Sequence, residues 1–309
     1  MKLELIATAT FGLEAVVKRE IQNLGYTVIR TEDGRVTYQG DERAIVRSNL
    51  WLRTADRVYL RIGELDAKTF EELFQQIKGF PWEKWIPVDG AFPVVGTSVK
   101  STLHSVPSCQ SIIKKAIVSR LSDFYCVDRF EESGAEYRVR FSILKDRVTV
   151  MLDTSGSGLH KRGYRVRDVA APMKETLAAA LVQLSYWKDG AMRPEKYRND
   201  PPRMLVDTCC GSGTILIEAA MMARNIAPGL NRSLAAMNWE WIPEFLWKEE
   251  RKKAFQEVDY DGELLIKGFD IDERAVEAAR ENAEEAGVGD DIRISKMDMK
   301  KFRAEEDHG

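Results

Sequence analysis

Cysteine and histidine are scarce in this chain of 309 residues, and their placing removes several chemistries at once. There are four cysteines, and Cys209 and Cys210 are adjacent, so neither a disulfide framework nor a C-x-x-C pair can be written. That usage points to a reducing cytoplasm. The three histidines, His104, His160 and His308, lie far apart, so no metal is expected. No window approaches the apolar length of a membrane span, and Met1-Lys2-Leu3-Glu4 lacks a signal-peptide pattern, so no membrane partner is expected. An excess of positive charge is missing as well. At a net charge of −3, any contact with RNA has to come from local patches. Internal repeats and low-complexity tracts are absent.

What is present supports two domains or three small ones, with 44% hydrophobic residues to build their cores. Leu3 to Ala9 reads as a strand, and Leu13, Val16, Val17, Ile21 and Leu24 recur at helical spacing until Gly25 stops them. Strands around 26–30 and 35–39 meet at Asp33-Gly34, a hairpin signal, and Asp41 can cap a second helix before a returning strand at 57–62. The order βαββαβ is that of a small ferredoxin-like unit. A helix marked by Phe70, Leu73, Phe74 and Ile77 opens a second α+β unit. It continues with a strand near 92–100, a helix over 108–122 and strands at 136–143 and 147–152. Leu152 to Gly158 reads as a flexible joint. Beyond it Pro172 opens a helix over 173–187. The tryptophans of an insertion at 225–262 read as core or lid packing rather than base-stacking platforms.

Two basic patches stand out. Residues 97–121 contain no acid but carry Lys100, Lys114, Lys115 and Arg120, and the helix start at Ser108 with Lys114 and Lys115 would make a phosphate seat. A solvated amphipathic helix explains the same pattern. The second patch, His160 to Arg167, places Lys161, Arg162, Arg165 and Arg167 around Tyr164.

The richest segment runs from Met204 to Ala223. An apolar run ends in Asp207, a loop carries Gly211 and Gly213, and a helix follows from Thr214: a strand, a tight glycine turn and a helix. A side chain on the loop would hold a ligand away from the amides at the helix start. A dinucleotide fingerprint would want a small residue at position 216, where Leu216 stands, and Asp207 would repel a pyrophosphate. A ligand with a cationic end, such as S-adenosylmethionine, suits D-x-x-x-G-x-G better. A nicotinamide-dependent oxidoreductase is disfavoured on the same grounds. The next strand, 264–269, ends in Asp270-Ile271-Asp272. Asp270 is the candidate for ribose hydroxyls and Asp272 for capping the following helix, although the two could exchange roles. Asp298, after a third strand at 292–295, lies within reach of an adenine amino group or is simply a turn acid.

Four motifs then carry a resemblance: D-T-C-C-G-S-G-T at Asp207–Thr214, G-F-D-I-D at Gly268–Asp272, A-P-M-K-E-T-L-A-A-A at Ala171–Ala180 and D-T-S-G-S-G-L-H-K-R-G-Y-R at Asp153–Arg165. With them the chain resembles, over essentially its whole length, the THUMP-containing class I RNA methyltransferases. It is similar to the bacterial enzymes that methylate guanine N2 of large-subunit ribosomal RNA. The resemblance implies an N-terminal ferredoxin-like segment at 1–43, a THUMP RNA-binding domain at 44–155, a linker at 156–172 and a Rossmann-like methyltransferase domain at 173–309. It also implies that Asp207, Cys209, Gly211 and Gly213 line the methionine end of S-adenosylmethionine, with Lys174 and Glu175 beside them. Asp270 would then hold the ribose and Asp298 the adenine. From the two basic patches, Lys114, Lys115, Lys161, Arg162 and Arg165 are the residues expected to meet RNA.

Guanine-N2 enzymes of this kind use an Asn- or Asp-Pro-Pro-aromatic motif at a fourth strand. Acceptors must hold the amine's hydrogens to turn its lone pair toward the methyl group, and the aromatic ring stacks the extracted base. Asp200-Pro201-Pro202-Arg203 fits only superficially, because Arg203 replaces the aromatic and the tetrapeptide precedes the glycine loop. It reads as a rigid turn. The chain as given therefore reads as an incomplete methyltransferase domain without catalytic residues, expected to bind cofactor weakly and not to turn over. An RNA-binding module without catalytic activity is the alternative.

Overall fold

The computed structural model describes residues 1–167, 169–185, 187 and 204–303, so Asp200-Pro201-Pro202-Arg203 lies outside the described residues. The first half is one seven-stranded sheet. β1 (Leu3–Ala9) is buried on both faces, and alternation puts Leu5 and Ala7 in the main core and Ile6 in a small cluster with Tyr59 and Met151. α1 (Glu14–Asn23) lays Val16, Val17 and Ile21 against the sheet, and β2 (Thr27–Glu32) pairs with β3 (Arg35–Gly40) across the hairpin at Gly34. Asp41 caps α2 (Glu42–Trp51) by accepting from Ala44 N.

β4 (Ala55–Asp66) is twice the length expected from sequence, and that length joins the two units. Its first residues pair with β1, and Tyr59 to Asp66 pair with β7 (Arg147–Asp153). α3 (Phe70–Lys78), β5 (Val94–Val99), α4 (Val106–Tyr125) and β6 (Val139–Leu144) complete a sheet of order β2-β3-β1-β4-β7-β6-β5. The boundary expected at 43/44 falls inside α2, where a domain border would split a helix that packs as one piece.

The segment expected to be a flexible joint is instead a buried polar knot. Asp153, Thr154 and Ser155 are all buried. Thr154 and Ser155 share hydrogen bonds with Asn49, while Asp153 pairs with Arg57 at 2.7 Å. Small hydroxyl residues here satisfy one another inside the protein, which a sequence pattern for loops cannot distinguish from solvent exposure.

The second half is a parallel three-stranded sheet of order β10-β9-β8, from β8 (Leu205–Asp207), β9 (Ile266–Asp270) and β10 (Ile292–Lys296). α5 (Glu175–Leu184), shorter than the expected 173–187, packs on α6 (Thr214–Ala223), and α8 (Glu273–Glu285) buries Ala275, Val276, Ala279 and Ala283. The insertion, with α7 (Glu244–Gln256), crosses back to the first half. Trp239, Ile242, Leu246 and Trp247 join the core of the seven-stranded sheet, and Trp239 stacks on Tyr137 with ring centroids 5.1 Å apart. The tryptophans are core residues. Lys174 to Asp56 (2.6 Å) and Gln183 to Glu20 (2.5 Å) add polar ties between the halves.

Candidate functional site

The glycine loop joins β8 to α6, and its conformation explains its composition. Gly211 has φ +54° and Gly213 φ +79°, a region in which a side chain is strained. A Cβ on Gly213 would lie 3.0 Å from Ala279 Cβ, so this glycine lets α8 approach. A Cβ on Gly211 would meet nothing within 4 Å and would point into open space, where a ligand can reach the loop backbone. Leu216 is fully buried over Gly268 of β9, which has no room for a Cβ. The third small residue of a dinucleotide site is thus replaced by a leucine whose space comes from the neighbouring strand.

Asp207 and Asp270 end adjacent parallel strands on either side of this loop. Asp207 accepts from Cys209 N at 3.1 Å, while Asp270 accepts from Gly211 N at 2.9 Å and from Asp272 N at 3.0 Å. Burial, reinforced by the charge of Asp270, pushes the Asp207 carboxyl above its ordinary range. Among the described residues no cation pairs with either carboxylate. A negative crevice of this kind fits a ligand that carries a positive end and hydroxyl groups. A cavity of about 590 Å³ opens beside it, lined by Gly211, Asp270, Asp272, Arg274 and Arg167 among others.

The remaining expected residues divide. Asp272 caps α8 by accepting from Arg274 N, which decides the capping role left open above. Asp298 accepts from Lys300 N at 3.0 Å, the geometry of a turn acid, at the end of the segment that follows β10. Cys209 is exposed, with Sγ 3.6 Å from Met299 Sδ, while Cys210 is buried and its thiol is pushed up to about 12 by burial. Lys174 turns to Asp56, and Glu175 is held by Arg165.

The basic patch at 160–167 is the main correction. Arg162 is 2% exposed at the side chain, beside Glu218 at 0%. Its guanidinium donates to Glu218 Oε1 at 3.2 Å, to Leu159 O at 2.6 Å and to Arg53 O. No RNA phosphate can reach it there. Arg165 likewise donates to Glu175, Ser212, Thr214 and the Met173 carbonyl. Lys161 remains exposed. On α4 the helix starts at Val106, two residues before the expected start, so Lys114 and Lys115 stand more than two turns from its first residue. Lys114 Nζ lies 3.4 Å from the Phe92 ring centroid and pairs with Glu132 at 2.5 Å, whereas Lys115 is exposed. The patch expected to act as a phosphate seat thus leaves Lys115 as its outward cation on α4.

Asn282 was missed. Its buried amide accepts from the Val166 and Arg167 N–H groups and donates to Arg167 O and Ser212 O. An asparagine in register with Ala275 and Ala279 on an apolar helix face was the signal that could have found it.

The crevice thus has acids at two strand tips and a glycine loop between them. Three family models match consecutive parts of the chain: an RlmL ferredoxin-like domain at residues 4–59, a THUMP domain at 67–153 and an RMKL-like methyltransferase domain at 162–309. YpsC of Bacillus subtilis (strain 168), whose name assigns it to the RNA methyltransferases, is 51% identical over 303 residues, which are 97% of this chain and 75% of that protein. A crystal structure from Listeria monocytogenes str. 4b F2365, of a predicted N6-adenine-specific DNA methylase, matches with a TM-score of 0.91 at 48% identity. It covers 99% of this chain and 77% of that one. SMU.472, a methyltransferase by name and complexed with SAH, matches with a TM-score of 0.91 at 44% identity, over 99% of this chain and 78% of that one. The chain belongs to the THUMP-containing class I S-adenosylmethionine-dependent RNA methyltransferases.

Proposed function

We propose that this RNA methyltransferase acts in the cytoplasm on guanine N2 of large-subunit ribosomal RNA. The observation that carries the cofactor part of this reading is the pair of carboxylates, Asp207 and Asp270, that bracket Gly211 with no cation partner among the described residues. In this reading Asp207, Cys209, Gly211 and Gly213 line the methionine end of S-adenosylmethionine, with Lys174 and Glu175 at the start of α5 beside it. Each Asp270 oxygen already accepts one amide and keeps capacity for a ribose hydroxyl. Asp298 borders the adenine. When bound, S-adenosylmethionine supplies a methyl group on a cationic sulfur. The chain's part is to fix that group at the strand tips while the THUMP half holds RNA. The similarity of residues 4–59 to the RlmL ferredoxin-like domain supports ribosomal RNA as the substrate. The four cysteines are all free, which agrees with a reducing compartment.

Mapping modified nucleosides in ribosomal RNA after deletion of the encoding gene tests the target. Loss of an N2-methylguanosine from the large subunit is expected. Loss of an N6-methyladenosine, or an unchanged large subunit, overturns it. Calorimetric titration with S-adenosylhomocysteine tests the cofactor site independently. Asp270→Ala is expected to weaken binding about tenfold, the loss of one charge-assisted hydrogen-bonding group. An absence of heat with the unmodified chain would favour an RNA-binding module without catalysis.

A further inference from the structure

We propose that Arg165 is a positioning residue for the cofactor, a role distinct from the RNA contact its charge suggests. The proposal rests on the cofactor reading above. The Arg165 guanidinium spans two elements that meet at the cofactor crevice. Nε donates to Glu175 Oε1 at 3.0 Å and Nη2 to the Met173 carbonyl at 3.0 Å, both at the start of α5. Nη1 donates to Ser212 Oγ at 2.8 Å, in the glycine loop, and Nη2 also to Thr214 Oγ1 at 3.1 Å, at the start of α6. One planar group thus fixes the separation between the start of α5 and the glycine loop.

The loop's other hydrogen bonds, to Asp207, Asp270 and the Phe269 carbonyl, hold it to the strands and not to α5. Gly211 and Gly213 take positive φ values that glycine adopts without strain and can leave as freely, so holding the residues between and after them fixes the loop's shape. Ser212, between them, is gripped from two sides: its hydroxyl by Arg165 and its carbonyl by Asn282 Nδ2 at 3.3 Å. Asn282 also accepts from the backbone N–H groups of Val166 and Arg167, so it anchors the stretch that carries Arg165. The side chain is mostly buried, with 15% exposure, and its charge is met by Glu175 at 2.9 Å. A group so placed has little charge left for a phosphate but a defined mechanical role. The role requires arginine. A lysine ammonium is a point donor and cannot bridge Glu175, Met173, Ser212 and Thr214 together.

The test uses the full chain and three measurements on Arg165→Ala and Arg165→Lys: S-adenosylhomocysteine affinity by calorimetry, RNA affinity by filter binding, and amide hydrogen exchange across residues 208–214. Both variants are expected to bind S-adenosylhomocysteine at least tenfold more weakly, to keep RNA affinity within about twofold, and to exchange faster in the loop. Lysine should fail to rescue. Should Arg165→Ala fold poorly, Ser212→Ala combined with Thr214→Val removes the same clamp from the loop side, and adding Arg165→Lys to that pair should cost nothing more. Unchanged cofactor affinity, or a fall confined to RNA affinity, overturns the proposal. If the unmodified chain itself fails to bind S-adenosylhomocysteine, the cofactor reading falls first, which separates the two failures.

Discussion

The segments at 97–121 and 160–167 each carry four lysines or arginines, yet the second turns two of its four into the protein. On the first, Lys115 is exposed, and the side chains of Lys114 and Arg120 keep about a third of their surface in solvent, at 31% and 35%. On the second, Arg162 and Arg165 turn inward, to 2% and 15%. Arginine makes the difference physically. Its fork satisfies several carbonyl and carboxylate oxygens at once and so can be buried where a lysine ammonium would stay at the surface. Local charge density therefore does not by itself mark a nucleic-acid surface.

Arg162→Ala gives the largest separation between the two segments. It leaves the buried Glu218 side chain without its ion-pair partner, and a cost of about 3–5 kcal/mol is expected in chemical denaturation. Removing both charges with Glu218→Leu should recover much of that loss. A cost below 1 kcal/mol would place Arg162 back among surface residues. Lys115→Glu should leave stability nearly unchanged but weaken RNA binding and lower its salt slope by about one. An unchanged slope would remove α4 from the RNA interface. Arg120 pairs with Glu83 at the surface, with the Glu83 carboxyl held low chiefly by that hydrogen bond, and Arg120→Ala is expected to cost less than about 1 kcal/mol.

The smallest effect is a contribution to pH dependence from His160 in the second segment. Burial first, then the nearby Lys174 charge, depresses the His160 pKa. The unfolded chain therefore takes up that proton more readily than the folded one. Stability is full above the ordinary histidine value of about 6.5 and falls as pH drops below it. His160→Gln should flatten that acid arm in a pH series of denaturation curves. An identical slope in both proteins would show that His160 does not report on the packing of the segment.

How much was legible depends on the range of the interaction. β1, the hairpin at Gly34, the Asp41 cap and the loop of Gly211 and Gly213 all follow from neighbours within a few residues, and all stand where the sequence suggests. The placing of Asp207 and Asp270 at the ends of adjacent strands was legible too, because each closes an apolar run of strand length. Asn282 was not, since its partners lie 70 to 116 residues away. The polar knot at Asp153–Ser155 was misread for the same reason: its hydroxyls look like those of a loop until Asn49 and Arg57 arrive from another part of the chain.

The order of residues alone determined the glycine loop, its flanking carboxylates and the helix that follows, because tight turns and caps are settled by local backbone energetics. Only the tertiary structure decided that β4 runs on to join two units into one sheet and that Arg162 and Arg165 face inward. Both outcomes depend on which distant carbonyls, carboxylates and strand edges come within reach, and that is set when the two halves pack.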